Sequence, residues 1–153
     1  MKKITNKIAM TSLLVFACAT LFSFTRFAGG DSFQVYLNGK LVLDKALYKN
    51  KDIQNLEFVQ ASFNDKVEIC YNHCGRIGTS RSITAKDEKQ KTLRTWHFAD
   101  ASGKNMTIQL RDLKDLQTNN KEKSIGLYYS SKELPAGQEL ASVSIGNKST
   151  VMR

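Results

Sequence analysis

The sequence predicts an all-β protein, namely an antiparallel β-sandwich of about eight short strands with one short helix. Two observations predict this fold. Apolar and polar residues alternate with a period of two in several short stretches, which places successive side chains on opposite faces of a strand. Turn-forming residues separate these stretches at short, even spacing, as in β-sandwiches. A partly closed β-barrel is the alternative, because barrels show the same pattern.

The first two strands are predicted to form a hairpin. Residues 33–37 alternate apolar with polar, Asn38-Gly39 follows, and residues 40–43 are again strand-like. Both central positions of a type I′ turn require a positive φ, which Asn and Gly adopt readily. The dipeptide therefore marks the turn of a two-residue hairpin.

The rest of the chain continues in short elements. Leu113 and Leu116 have helical spacing, so one short helix is predicted at residues 111–117. Pro135, the only proline, lies in a predicted turn at residues 134–137. Further strands are predicted at residues 56–63, 67–72, 82–86, 92–98, 106–110, 125–129 and 140–145.

Residues 1–30 have the layout of a signal peptide. Three lysines precede an apolar run without charges at residues 8–24. Ala17-Cys18-Ala19 suits cleavage after Ala19, and cleavage after Ala28 is a second candidate for which Arg26 is poorly placed. The alternative is an uncleaved N-terminal anchor, which would be the protein's one attachment to a membrane. We therefore expect an exported, periplasmic or secreted protein with a single domain at residues 31–146 and a frayed tail at residues 147–153.

The net charge narrows the choice of partner. The chain carries a charge of +9, and residues 1–30 contribute four bases and no acid, so the predicted domain and tail carry +5. A moderate positive charge is compatible with an acidic partner. The bases are scattered along the chain, and together with export this argues against a nucleic acid.

Cys70 and Cys74 are disulfide candidates, because exported proteins fold in an oxidising environment. Residues four apart on an extended strand lie about 13 Å apart, whereas a disulfide needs Cα atoms within about 7 Å. The bridge therefore requires the chain to turn back near Gly75. Free thiols are the alternative.

A metal-binding or redox role for the same segment is a further alternative. Thiolate and imidazole groups suit zinc or copper(I). The C-x3-C spacing departs from zinc-knuckle and thioredoxin motifs, however, so we predict no metal and no cofactor. The ligands of this alternative site would be Cys70, His73, Cys74 and His97.

Two surfaces are predicted to bind partners. Residues 75–81 form a basic, Gly-containing loop in which Arg76 and Arg81, together with backbone N–H groups, can bind an anion. Trp96 and Tyr128 are candidate aromatic residues of a binding face. No G-x-S-x-G motif is present, and no pair of carboxylates stands out, so we predict that the protein is not an enzyme.

Several segments resemble a family of small exported bacterial proteins of unknown function. They are the N-terminal leader, Gly29-Gly30-Asp31, Tyr36-Leu37-Asn38, His73-Cys74-Gly75 and residues 127–135. The resemblance implies export and a β fold, and it assigns no catalytic residue. We therefore expect a non-catalytic binding module of the cell envelope, with a protein or glycan as partner.

Overall fold

A computed structural model describes residues 30–47, 52–59, 62 and 64–146. The described chain contains nine strands and one helix, which confirms the predicted sandwich. The predicted signal peptide, apart from Gly30, and the predicted tail lie outside the described residues. The elements are β1 (Ser32–Leu37), β2 (Lys40–Ala46), β3 (Gln54–Phe58), β4 (Lys66–Asn72), β5 (Arg81–Lys86), β6 (Thr92–Phe98), β7 (Met106–Gln109), α1 (Leu110–Asn120), β8 (Ile125–Ser131) and β9 (Leu134–Ile145).

The strands form two separate sheets. One has four strands in the order β2-β1-β4-β7, and the other has five in the order β3-β9-β8-β5-β6. Neighbouring strands are antiparallel except for β3, which runs parallel to β9. The described part of the chain is thus an open sandwich and not a closed barrel.

The predicted hairpin between β1 and β2 is confirmed. Asn38 and Gly39 have φ values of 52° and 78°, as a type I′ turn requires. The turn is also attached to β4, because the Asn38 N–H donates to the carbonyl oxygen of Lys66 and the Asn38 side chain accepts from the Lys66 N–H. The two-residue turn fixes the register of β1 against β2, and these bonds attach the turn to β4.

The core lies between the sheets and follows the alternation of the strands. On β4, Val67, Ile69 and Tyr71 are buried, while the residues between them face away from the core. The other sheet contributes alternating buried residues of β8, including Leu127 and Tyr129. Period-two alternation therefore identified the inward residues of the central strands.

Helix α1 covers one end of the sandwich. It is longer than the predicted helix, and Leu110 and Leu113 are its buried residues. The Leu110 N–H donates to the carbonyl oxygen of Asp65, and the side chain of Gln117 accepts from the N–H of Ile145. No helix within the described residues has the length and apolar character needed to cross a membrane.

The predicted turn at residues 134–137 is wrong. The turn is made by Lys132 and Glu133, and β9 already begins at Leu134. The register between β8 and β9 shifts at this end, and Gly137 has a φ of 73°. Proline and glycine are tolerated near the start of a strand where pairing is irregular, so Pro135 does not end it.

Candidate functional site

Five polar side chains meet in the interior at the end of the sandwich opposite α1. His73 follows β4 and faces inward because it continues the alternation of that strand. Asp31 lies beside it, since Ser32 at the start of β1 pairs with Asn72. The group, which we call the His73 cluster, consists of Asp31, Tyr71, His73, Tyr129 and Ser131.

Both ring nitrogens of His73 have hydrogen-bond partners. Its Nδ1 lies 3.2 Å from Oδ2 of Asp31, and its Nε2 lies 2.8 Å from the Tyr129 hydroxyl and 3.2 Å from Oγ of Ser131. An ionised carboxylate can only accept, so the neutral ring carries its proton on Nδ1, and Nε2 accepts from the hydroxyl groups. The ring therefore connects β1 and β4 of one sheet to β8 of the other.

The two tyrosines of the cluster pack against each other. The rings of Tyr71 and Tyr129 are stacked with centroids 4.0 Å apart, and the Tyr71 hydroxyl donates to Asp31. Burial, followed by the nearby Asp31 carboxylate, raises the pKa of Tyr71 above its ordinary value. Burial also raises the pKa of Tyr129. Both phenols thus stay protonated and available as donors at neutral pH.

Asp31, His73 and Ser131 are connected in the order of a hydrolase triad, but the nucleophile is not accessible. Ser131 is 5% exposed and His73 is 2% exposed. The Tyr129 hydroxyl is also nearer to Nε2 than the serine is. A catalytic serine must reach a substrate and deliver its proton to the histidine. The arrangement here fits a structural network that joins the two sheets.

The loops around the cluster are held together by the chain's own carboxylates. The N–H and Oγ1 of Thr79 donate to Glu133 at 2.8 and 2.6 Å, and the N–H of Ser80 donates to Asp100 at 2.7 Å. The two bonds from Thr79 lower the pKa of Glu133 to about 2. Acidic side chains of the chain itself therefore accept hydrogen bonds from N–H groups that were predicted to bind an external anion.

Arg81 does not lie at the surface of the loop, where the predicted anion site would need it. It is buried, and its guanidinium donates to the carbonyl oxygens of Ala99 and Lys104 at 2.8 and 2.9 Å. It is the first residue of β5 and pairs with Phe98, which places it on the inward face. Arg76, by contrast, is exposed at residues 74–77, which we call the tip.

Cys70 and Cys74 do not form the predicted disulfide and are both free thiols. Strand β4 stays extended through Asn72, so the chain turns only after the two residues have separated. The Cys70 thiol donates to the carbonyl oxygen of Gly103, and burial raises its pKa. Cys74 lies exposed in the turn with a φ of 52°.

The alternative metal site is not assembled. His73 is enclosed in its cluster, whereas His97 is exposed on β6, opposite Ser82. Across the described ranges, no group of three or more His, Cys, Asp and Glu side chains is arranged to hold a metal ion. The metal site is not assembled because the two histidines lie on different strands and faces.

The two candidate aromatic residues lie on opposite faces of the five-stranded sheet. Trp96 pairs with the buried Ile83 and packs against the core, so it does not belong to an exposed face. Tyr128 faces outward, but the Lys86 ammonium lies 4.2 Å from the centre of its ring. Partial burial, followed by the interaction with Glu139, raises the pKa of Tyr128 to about 12. A free aromatic platform is therefore not formed.

No protein-family model matches this chain, and no curated protein is significantly similar to it. The resemblance to small exported proteins thus stays a prediction. Sequence reasoning selected His73 but missed Asp31, Tyr71, Tyr129 and Ser131 as its partners. The alternation of β4, extended by two residues, was the available indication that His73 points inward.

Proposed function

We propose that this protein is an exported, non-catalytic binding module of the cell envelope that contacts an acidic partner through the tip at residues 74–77. The observation that carries the proposal is that the tip differs from the residues on either side of it. The tip is exposed, and the residues on either side of it belong to buried or hydrogen-bonded groups. A binding loop that is held in place loses less conformational entropy when its partner binds.

The charges at this end favour an acidic partner. Arg76, Lys104 and Lys132 are exposed. The nearby carboxylates of Glu133 and Asp100 accept hydrogen bonds from the backbone of the loop. The three exposed bases outnumber these two carboxylates, each of which accepts a hydrogen bond from the protein, and a surplus of positive charge attracts an opposite charge.

The tip also offers an apolar contact. Ile77 is 60% exposed, the highest value among the exposed large hydrophobic residues of the described chain, and it follows Arg76. Arginine is enriched among the residues that contribute most to protein–protein binding, and an adjacent apolar side chain adds area that can be desolvated. The combination favours an acidic protein over an acidic glycan as the partner.

Burial of the His73 cluster supports a non-catalytic role. Ser131 and His73 lie below the loop containing Gly78, where an added Cβ would come within 2.8 Å of the Tyr129 hydroxyl. A substrate would have to displace this loop to reach the serine. Resistance of Ser131 to a fluorophosphonate probe is expected, and stoichiometric labelling at Ser131 would contradict this part of the proposal.

Charge reversal tests the binding surface. The double variant Arg76→Glu/Lys132→Glu should weaken binding to a fluorescent poly-glutamate peptide by about tenfold or more, because two contacts become repulsive. The matched control is Lys40→Glu/Lys123→Glu, which makes the same change in charge at exposed positions away from the tip. Fluorescence anisotropy at physiological salt measures both.

Two further results decide the nature of the partner. Ile77→Ser should weaken binding to an acidic peptide that contains leucines and leave binding to a heparin oligosaccharide unchanged. Equal losses in the two double variants would show that only overall charge matters and would contradict a site at the tip. Tight heparin binding that depends on Arg76 and not on Ile77 would favour a glycan instead.

A further inference from the structure

The turn between β1 and β2 contains the one Asn-Gly pair of the sequence, Asn38-Gly39. Such a pair can modify itself, because the backbone nitrogen of the glycine can attack the side-chain carbonyl carbon of the asparagine. Glycine has no side chain that hinders this approach. The attack requires the two reacting atoms to come within about 3.5 Å of each other in a suitable orientation. The conformation of the turn therefore decides whether the reaction can take place.

The folded turn keeps the two reacting atoms apart. Asn38 has a φ of 52° and lies in the left-handed region, as a type I′ turn requires. In that conformation the side chain lies close to the residue's own carbonyl oxygen, so the nitrogen of the following residue points to the opposite side of the backbone. The Gly39 nitrogen therefore cannot reach Cγ of Asn38 while the turn is intact.

Hydrogen bonds to β4 and to the residue before it hold the same atoms in place. Nδ2 of Asn38 donates to Oδ1 of Asp65 at 2.8 Å, and Oδ1 of Asn38 accepts from the N–H of Lys66 at 2.9 Å. The N–H of Gly39 donates to Oε2 of Glu68 at 3.0 Å. The leaving group and the attacking nitrogen thus both have partners, and the attack requires the turn to open away from β4.

We propose that Asn38 is a self-modification site that is protected in the folded turn and reacts when the turn opens. The Gly39 nitrogen gives up its proton and forms a bond to Cγ of Asn38, the bond from Cγ to Nδ2 breaks, and Nδ2 leaves as ammonia with that proton. Water, which can reach the exposed Asn38, then opens the five-membered ring and leaves aspartate or isoaspartate at position 38. The inference goes beyond the proposed function, because the turn lies at the end of the sandwich opposite the tip.

The product of the reaction fits the site less well than Asn38 does. An aspartate at position 38 places a carboxylate oxygen where Nδ2 now donates to Asp65, so a hydrogen bond becomes a contact between like charges. An isoaspartate also lengthens the backbone of the two-residue turn by one carbon atom, which disturbs the register of the hairpin. Modification therefore weakens the attachment of the turn to β4 and makes a transient opening more persistent.

Peptide mapping by mass spectrometry after incubation at neutral pH tests the protection. The folded protein should lose Asn38 more slowly than a synthetic peptide of residues 34–42, which has no β4 to bind. A difference of about tenfold or more is expected, because the reaction in the folded protein waits for a local opening. Equal rates in the protein and the peptide would overturn the proposal.

A variant of Asp65 tests whether the bonds at the turn are responsible. Asp65→Ala removes the acceptor of Nδ2 and should raise the rate of Asn38 modification about fivefold. Asp44→Ala is the matched control, because Asp44 is an exposed carboxylate of the same hairpin that accepts its hydrogen bond from Gln34 rather than from the turn. The control should leave the rate unchanged. Equal acceleration in both variants would show that overall stability governs the reaction and would contradict protection by the turn.

A variant of Glu68 distinguishes protection from assistance. Glu68→Ala frees the N–H of Gly39 and should raise the rate of Asn38 modification, because one bond that keeps the turn closed is lost. A carboxylate beside this N–H could instead act as a general base for the attack. A lower rate in Glu68→Ala than in the wild type would show that the reaction takes place in the closed turn and would overturn the proposal.

The effect of the product is measured with Asn38→Asp. In the wild type the N–H of Asn38 donates to the carbonyl oxygen of Lys66, so hydrogen exchange of this N–H reports the attachment of the turn. The protection of residue 38 should be lower in Asn38→Asp than in Asn38→Gly, which also loses the side-chain bonds but adds no charge. Wild-type protection in Asn38→Asp would contradict the expected weakening. Peptide binding at the tip should be unaffected in both variants, so the two proposals fail separately.

Discussion

The two ends of the sandwich are closed in different ways. At one end, helix α1 covers the core with Leu110 and Leu113, and the contact is apolar. At the other, loops cover a buried histidine whose partners come from both sheets. Apolar packing depends on volume, whereas hydrogen bonds depend on direction and on complete pairing of the polar groups. The end that depends on directional hydrogen bonds is also the end with the exposed tip.

This difference suggests a division of roles. The helix end is closed mainly by an apolar surface, although hydrogen bonds from Leu110 to Asp65 and from Ile145 to Gln117 also attach the helix. Apolar surfaces tolerate substitutions of similar volume. The His73 end must keep the positions of several loops constant, and directional bonds achieve that. Substitutions at the two ends should therefore fail for different reasons, and the difference can be measured.

The largest effect is expected at the helix end. Leu113 is 0% exposed, so Leu113→Ala should lower the free energy of unfolding by about 3 kcal/mol, because it removes buried methyl groups and leaves a cavity. Urea denaturation measures the change. Leu116, which is only partly buried in the same helix, is the control, and Leu116→Ala should cost about 1 kcal/mol. Equal losses would show that α1 does not close the core as described.

A smaller but specific effect is expected at the His73 cluster. His73→Phe keeps a ring of similar size but leaves Asp31, Tyr129 and Ser131 without their partner, and should cost about 2 kcal/mol in the free energy of unfolding. Tyr129→Phe removes one hydroxyl group while Ser131 still reaches His73, so its cost should be about 1 kcal/mol.

Variants at the two ends of the sandwich should also differ in how they bind a poly-glutamate peptide. Because the cluster supports the tip, His73→Phe should weaken peptide binding under conditions in which the variant remains folded. Leu113→Ala should not weaken it under the same conditions. Unchanged binding by His73→Phe would separate the cluster from the tip.

The smallest effect concerns Glu133 and depends on pH. Hydrogen bonds from Thr79 lower its pKa to about 2 from an ordinary value of 4.5. A group whose pKa is lower in the folded state stabilises the fold above its unfolded pKa and loses that contribution as the pH falls through the folded value. The stability contributed by Glu133 should therefore be full above about pH 4.5 and decline toward pH 2.

Glu133→Gln removes this titration. The difference in stability between wild type and variant should be constant above pH 5 and shrink in acid, as measured by urea denaturation at several pH values. An NMR titration of the Glu133 carboxyl carbon gives the pKa directly. A midpoint near the ordinary value would show that the bonds from Thr79 are not formed in solution.

Local patterns in the sequence determined much of the architecture. Asn38-Gly39 specified the first hairpin, since few residues other than these adopt positive φ at both positions. Alternation on β4 and β8 identified the inward residues, and the spacing of Leu113 and Leu116 identified the helix. These features depend on neighbours in the chain, so the sequence carries them without reference to the fold.

Tertiary structure alone decided the site. Asp31 and His73 are 42 residues apart, and His73 and Tyr129 are 56 apart, yet all three meet because β1 pairs with β4 and β4 packs across from β8. The same assembly separated His97 from His73 and turned Arg81 inward. Strand pairing and sheet packing set these distances, and no local pattern records which distant strands will meet. The sequence by itself therefore determined the strands and their inward faces, while the assembled sheets decided which polar side chains became partners.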